Sequence, residues 1–131
     1  MRFELTGRFK PYVRMTQRGK WVNQQAQEYL ASKTRLGYQF RQQMNGAQMF
    51  PRGVPLSLIV KISSTRGFNN CDLSNQLKAI EDAANRIVYS DDAWVDEIYT
   101  RRDRGKSNTT VFDVTDLDGR DYCPCCGRSN D

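Results

Sequence analysis

The chain has 131 residues, 20 Lys and Arg against 15 Asp and Glu for a formal net charge of +5, and no histidine. That length supports one domain with a core that needs no disulfide or metal staple. The missing imidazole excludes Ser-His and Cys-His catalysis, histidine general bases and zinc sites with a histidine ligand, which leaves carboxylates, lysine and a bound metal for any hydrolytic chemistry. No stretch approaches the ~20 apolar residues of a membrane span; the best run, residues 54–62, is interrupted by Pro55, Ser57 and Lys61. The opening MRFELTGRFK has no apolar signal region, so a soluble, cytoplasmic protein is expected.

Residues 2–6 alternate as a short strand that ends at Gly7, and residues 8–22, with Pro11, Gly19 and many cations, read as a loop or irregular hairpin. Ala26, Tyr29, Leu30, Leu36, Phe40 and Met44 recur at helical spacing between a plausible cap, Asn23, and a stop at Asn45-Gly46. Leu56, Leu58, Val60 and Ile62 alternate as a strand entered at Pro55. A second, two-faced helix is predicted from Asp72 to about Val88. It buries Leu73, Leu77, Ile80, Ala84 and Ile87 and leaves a polar flank. Two strands follow, 95–102 and 109–115, joined as a hairpin through residues 103–107. The order strand, helix, strand, helix, strand, strand predicts a small α/β (α+β) domain, a mixed four-stranded sheet with two helices on one side. Trp21, Tyr29, Phe40, Trp94 and Tyr99 are expected to pack in the core or on the sheet, and Met15, Met44 and Met49 need no role beyond packing.

Charge divides the chain. Residues 1–66 carry twelve basic and two acidic residues, residues 67–131 eight basic and thirteen acidic. Arg8, Lys10, Arg14, Arg18 and Lys20, interleaved with Phe9, Tyr12 and Trp21, suit a phosphate backbone with exposed bases, and Arg101, Arg102, Arg104 and Lys106 could add a second contact. A solvated basic surface is the alternative for each. In the acidic half, Asp72 opens a helix, Lys78 and Asp82 lie along its polar flank, and Asp91-Asp92 follows at a turn. Hard oxygen donors gathered from a helix and a turn suit Mg²⁺, which takes one or two carboxylates plus waters and substrate phosphate, and a nearby lysine offsets phosphate charge. An ordinary helix cap and an i,i+4 ion pair are the structural alternative.

The run Asp72-Leu73-Ser74-Asn75, then Lys78, Asp82 and Asp91-Asp92, resembles the RusA-type Holliday junction resolvases, whose mark is Asp-x-Asp-Asn, a lysine and an aspartate at four-residue steps, and Asp-Asp at the following turn. Residues 8–29, basic before an aromatic and a helix, are also similar to that family, and the likeness covers residues 1–118. The resemblance implies an Mg²⁺ (or Mn²⁺) endodeoxyribonuclease, often carried by a phage or prophage, that resolves branched DNA in recombination and repair. It implies a homodimer making paired symmetric incisions. Asp72 and Asp92 become catalytic metal carboxylates, Asp91 a neighbouring ligand, Lys78 a catalytic residue, and Asn75 and Asp82 supports. Ser74 departs from the pattern, where a second aspartate is more common. Glu81, seven residues on and so on the same helix face, is the candidate replacement. A junction-binding protein that cuts poorly for want of that carboxylate is the rival reading.

Residues 119–131 form a polar tail beyond the nuclease-like part. Its Cys123-Pro124-Cys125-Cys126-Gly127 contains the Cys-Pro-x-Cys-Gly turn of a zinc knuckle. Spacing favours Cys123 and Cys126 as Zn²⁺ ligands, with a site shared between two chains supplying the usual four; a reduced, disordered tail is the alternative.

Overall fold

Strand β1 (Arg2–Thr6) turns Phe3 and Leu5 inward and its other residues outward, as the alternation predicts. In this computed structural model the described residues are 1–13, 24–65 and 72–117. Helix α1 (Gln24–Met44) buries Ala26, Tyr29, Ser32, Leu36, Gly37 and Phe40, a stripe of three- and four-residue steps. It stops where expected: Asn45 (φ 47°) and Gly46 (φ 82°) both enter the left-handed region, and Ala47 N–H closes on the Met44 carbonyl at 2.8 Å. Asn23, the expected cap, lies outside the described residues.

Strand β2 (Leu56–Ser64) is buried at Leu56, Ser57, Leu58, Val60 and Ile62, the profile of a central strand. Helix α2 (Leu73–Ala84) ends four residues before its predicted limit. Asn85 leaves helical geometry (ψ 131°) and Arg86 adopts φ 65°. The amide groups of Ile87 and Val88 then turn back to the Ala84 carbonyl at 3.1 and 2.9 Å. Apolar residues continue at helical spacing past this point because Val88 and Tyr89 stay in the core while the backbone turns, and periodicity alone cannot tell the two apart.

Strands β3 (Val95–Arg104) and β4 (Thr109–Asp116) complete a four-stranded mixed sheet in the order β1-β4-β2-β3. β4 runs antiparallel to both β1 and β2, and β2 runs parallel to β3. The predicted β3–β4 hairpin does not form, because β2 lies between the two strands. Buried at most of its positions, β2 takes a strand at each edge, and α2 supplies the crossover that a parallel β2–β3 pair requires. The connection is anchored at Gly105, whose N–H donates to the Ser64 carbonyl at 2.9 Å and whose Cβ, were there one, would overlap Ser63 Oγ.

Register sets one apolar face. Phe3 stands opposite Phe112, Phe112 opposite Val60, and Val114 opposite Leu58. Both helices cover that face in a single cluster that adds Leu36, Phe40, Ile80, Ala83, Ala84, Val88 and Tyr89. Phe40 meets Phe3 and Phe112 edge-on, each at 5.1 Å between ring centres, the favoured geometry for ring quadrupoles. Phe112→Ala empties the centre of this cluster and is expected to cost about 3–5 kcal/mol, read as a lowered denaturant midpoint; a loss below about 1 kcal/mol would mean the rings do not carry the core.

Candidate active site on helix α2 and the turn beyond it

Asp72 occupies the N-cap of α2 in an extended conformation (φ −77°, ψ 142°) without a side-chain capping bond, and its carbonyl accepts from Gln76 N–H at 3.1 Å. Ser74 and Asn75 follow on exposed surface. Two turns along the exposed flank, Lys78 Nζ sits 4.7 Å above the ring of Tyr12, a cation–π contact. Tyr12 is itself fixed. Its N–H donates to the Asn75 carbonyl at 3.0 Å, and its ring meets Tyr29 edge-on at 5.7 Å. Tyr29 O–H donates to Asp82 Oδ2 at 3.1 Å. Burial, then the Asp82 charge, raises the Tyr29 hydroxyl above its usual range, so it remains a donor. The segment before Tyr12 is tied to α1, with Lys10 N–H on Ser32 Oγ at 2.9 Å and Lys10 Nζ 3.6 Å from Glu28.

The turn after α2 carries Asp91 and Asp92 back to the helix. Arg86 N–H donates to the Tyr89 carbonyl at 2.7 Å. Buried Tyr89 sends its hydroxyl to the Glu81 carbonyl at 3.0 Å, and Asn85 Oδ1 accepts from Asp92 N–H at 2.9 Å. Asp91 caps a 3-10 turn (Asp92–Trp94) by accepting from Ala93 N–H at 3.1 Å.

These contacts crowd carboxylates. Burial raises Glu81 to about 7, reinforced by Asp92 and Asp82 and opposed by Lys78. Burial likewise pushes Asp92 up, followed by Asp91 and Asp82, with Lys78 again opposing. Exposed Asp91 moves the other way, because Ala93 N–H and then Asp92 donate to its ionised form. Burial and mutual repulsion both favour the neutral acids, and a hard divalent cation beside them would favour the ionised forms. Among the described residues no three acidic or thiol side chains converge closely enough to enclose an ion by themselves. Mg²⁺ asks for only one or two protein carboxylates, which makes Glu81 and Asp92 the candidate donors here. Asp72 opens the same helix nine residues before Glu81, roughly 13 Å along the axis.

The expected DNA contacts divide. Arg8, Arg104 and Lys106 are exposed. Lys10 is paired as above, Arg101 pairs with Asp103 at 2.9 Å, and half-buried Arg102 donates to Gln76 Oε1 on α2 at 3.1 Å. Arg104 ends a ten-residue strand, roughly 30 Å from the Asp92 end. Arg14, Arg18 and Lys20, and the Cys123 and Cys126 zinc site, lie outside the described residues. Among the expected packing residues, Tyr29 and Phe40 are buried, whereas half-buried Trp94 stands outside the core cluster. Sequence reasoning passed over Tyr12, Tyr29 and Asn85 as site residues. Only Asn85, polar and one helical turn after Glu81 and Asp82, carried a local signal.

Glu81 gives a pH prediction. Its folded value, about 7, exceeds the unfolded 4.5. The unfolded chain therefore releases this proton first, and stability is lost as pH rises through that window. In chelator, Glu81→Gln should gain melting temperature relative to the unmodified protein between pH 4.5 and 7.5, and an unchanged difference would refute the shift.

The family model for endodeoxyribonuclease RusA matches residues 3–114, from within β1 to within β4. No curated protein sequence matches at a significant level. No helix among the described residues is long and apolar enough to cross a membrane. The chain belongs to the RusA endodeoxyribonuclease family, enzymes that hydrolyse DNA phosphodiesters with a divalent metal and resolve Holliday junctions.

Proposed function

We propose that this chain is an Mg²⁺-dependent endodeoxyribonuclease that resolves four-way DNA junctions by paired incisions, its residues 1–118 forming the nuclease unit and 119–131 an appended tail. The observation that carries the metal assignment is the turn after α2, which ties Asp92 N–H to Asn85 Oδ1 at 2.9 Å and so returns its half-buried carboxylate toward half-buried Glu81 in the last turn of the helix; the upward shift of both acids accords with that placement. Glu81 takes the place of the carboxylate missing at Ser74.

Glu81 and Asp92, with Asp91 beside them, would hold the ion, and Mg²⁺ when bound supplies an activated water and charge neutralisation at the phosphate. Lys78, held over Tyr12, faces the phosphate as a preplaced cation and offsets its growing negative charge. Tyr29 keeps Asp82 oriented through its hydroxyl, and Asn85 fixes the backbone of Asp92. Arg8, Lys10, Arg104 and Lys106, with Arg14, Arg18 and Lys20, follow the phosphate backbone, and Arg101 and Arg102 line β3 beside them. A four-way junction has two-fold symmetry, so a homodimer presents one site to each of two opposed strands.

The test is a synthetic four-way junction incubated with and without Mg²⁺, read for symmetric nicks and for mobility shift. Asp92→Asn and Glu81→Gln should each lower cleavage about 100-fold or more while binding in Ca²⁺ is retained. Lys78→Met should cost on the order of 100-fold. Asp72→Asn is the fourth variant; a loss as large as that of Asp92→Asn assigns the helix opening to the same catalytic unit. Binding without nicks in the unmodified protein would instead favour the junction-binding reading that Ser74 raises.

A further inference from the structure

Beside the acidic turn lies an open cleft of about 310 Å³ lined by Arg52, Ser90, Asp91, Ala93 and Trp94. Its two walls are fastened together. Phe50 N–H donates to the Val88 carbonyl at 2.9 Å, and Ser90 N–H to the Phe50 carbonyl at 3.1 Å, so the loop bearing Arg52 is held against the turn bearing Trp94. The 3-10 turn holds Trp94 in place through its N–H on the Asp91 carbonyl, 3.3 Å away. The cleft therefore exists before any ligand arrives.

Its lining is that of a binding site rather than of a core. Trp94 is half-buried and outside the core cluster, which leaves part of an indole for a ligand. Arg52 is exposed, and among the described residues it enters no ion pair. Ser90 Oγ is buried without a hydrogen-bond partner, an unspent polar group beneath the cleft. An aromatic face, a free guanidinium and a volume at the small end of ligand pockets match one nucleotide, its base on the ring and its phosphate on the arginine.

We infer that this cleft receives an unstacked nucleotide next to the scissile phosphate, with Trp94 stacking on the base and Arg52 binding a phosphate. The inference rests on the nuclease reading, because Asp91 borders both the cleft and the proposed metal carboxylates. It makes Trp94 and Arg52 determinants of branched over linear DNA, since a paired, stacked base has no free face to offer. Unstacking is cheapest where pairing is already interrupted.

The chain has two tryptophans, so Trp21→Phe leaves Trp94 as the single indole. In Ca²⁺, a synthetic four-way junction should quench its emission and a linear duplex of the same sequence should not. Trp94→Ala should weaken junction binding about tenfold, and Trp94→Phe, which keeps a ring, by no more than about threefold. Arg52→Gln should lower the salt dependence of junction binding by roughly one phosphate contact. Equal quenching by duplex, or full junction affinity in Trp94→Ala, overturns the assignment. A protein that quenches on junctions yet makes no nicks in Mg²⁺ leaves the cleft standing and removes the nuclease reading; one that nicks while Trp94 stays silent does the reverse.

Discussion

The site depends on how α2 is stopped. Seven and eight residues after the helix, Asp91 and Asp92 would have no reason to meet Glu81 if the backbone continued straight. The left-handed Arg86 and the buried Tyr89 force the reversal. The Tyr89 hydroxyl on the Glu81 carbonyl ties the returning chain to the very turn that carries the half-buried acid. Crowding of like charges is tolerated because core packing fixes the turn: Tyr89 lies under Phe112, 6.4 Å away. Folding energy from the apolar face thereby holds carboxylates in an arrangement that repulsion alone would open.

The N-terminal segment has a matching role on the other flank. Tyr12 links three parts distant in sequence: the Asn75 carbonyl at the start of α2, Lys78 in its middle, and Tyr29 on α1. Tyr29 then reaches Asp82. The lysine and the nearest aspartate of the polar flank are thus both held from outside their own helix. A lysine on a free helix surface would sample many rotamers; one resting on an aromatic face starts closer to a single position.

Much of this was legible in the sequence, and what was not has physical reasons. β1, α1 and β2 follow from alternation, helical spacing and the Asn45-Gly46 stop, all local signals. The seven-residue step from Ser74 to Glu81 puts the two on one helix flank, where Ser74 is exposed and Glu81 half-buried. The end of α2 escaped because Ile87 and Val88 keep the apolar rhythm after the helix has stopped. The hairpin was misread because the turn-like run 103–107 says nothing of β2 inserted beside it, a decision made by the two-sided burial of Leu56–Ser64. Arg102 looked like a phosphate contact, yet its position opposite Ile62 turns it toward Gln76 and the helices. Tyr12 and Tyr29 carry no local mark, since their partners on α2 lie more than fifty residues away.

The strand order also bears on how the molecule is made. Among the described strands β1 pairs with β4 alone, more than a hundred residues later in the chain, so it has nothing to pair with until β4 has been made. On the ribosome, β2, α2 and β3 can assemble while the side of β2 meant for β4 stays bare. A nascent chain arrested before Thr109 would thus expose a long apolar strand edge, a natural substrate for chaperones and a template for clumping.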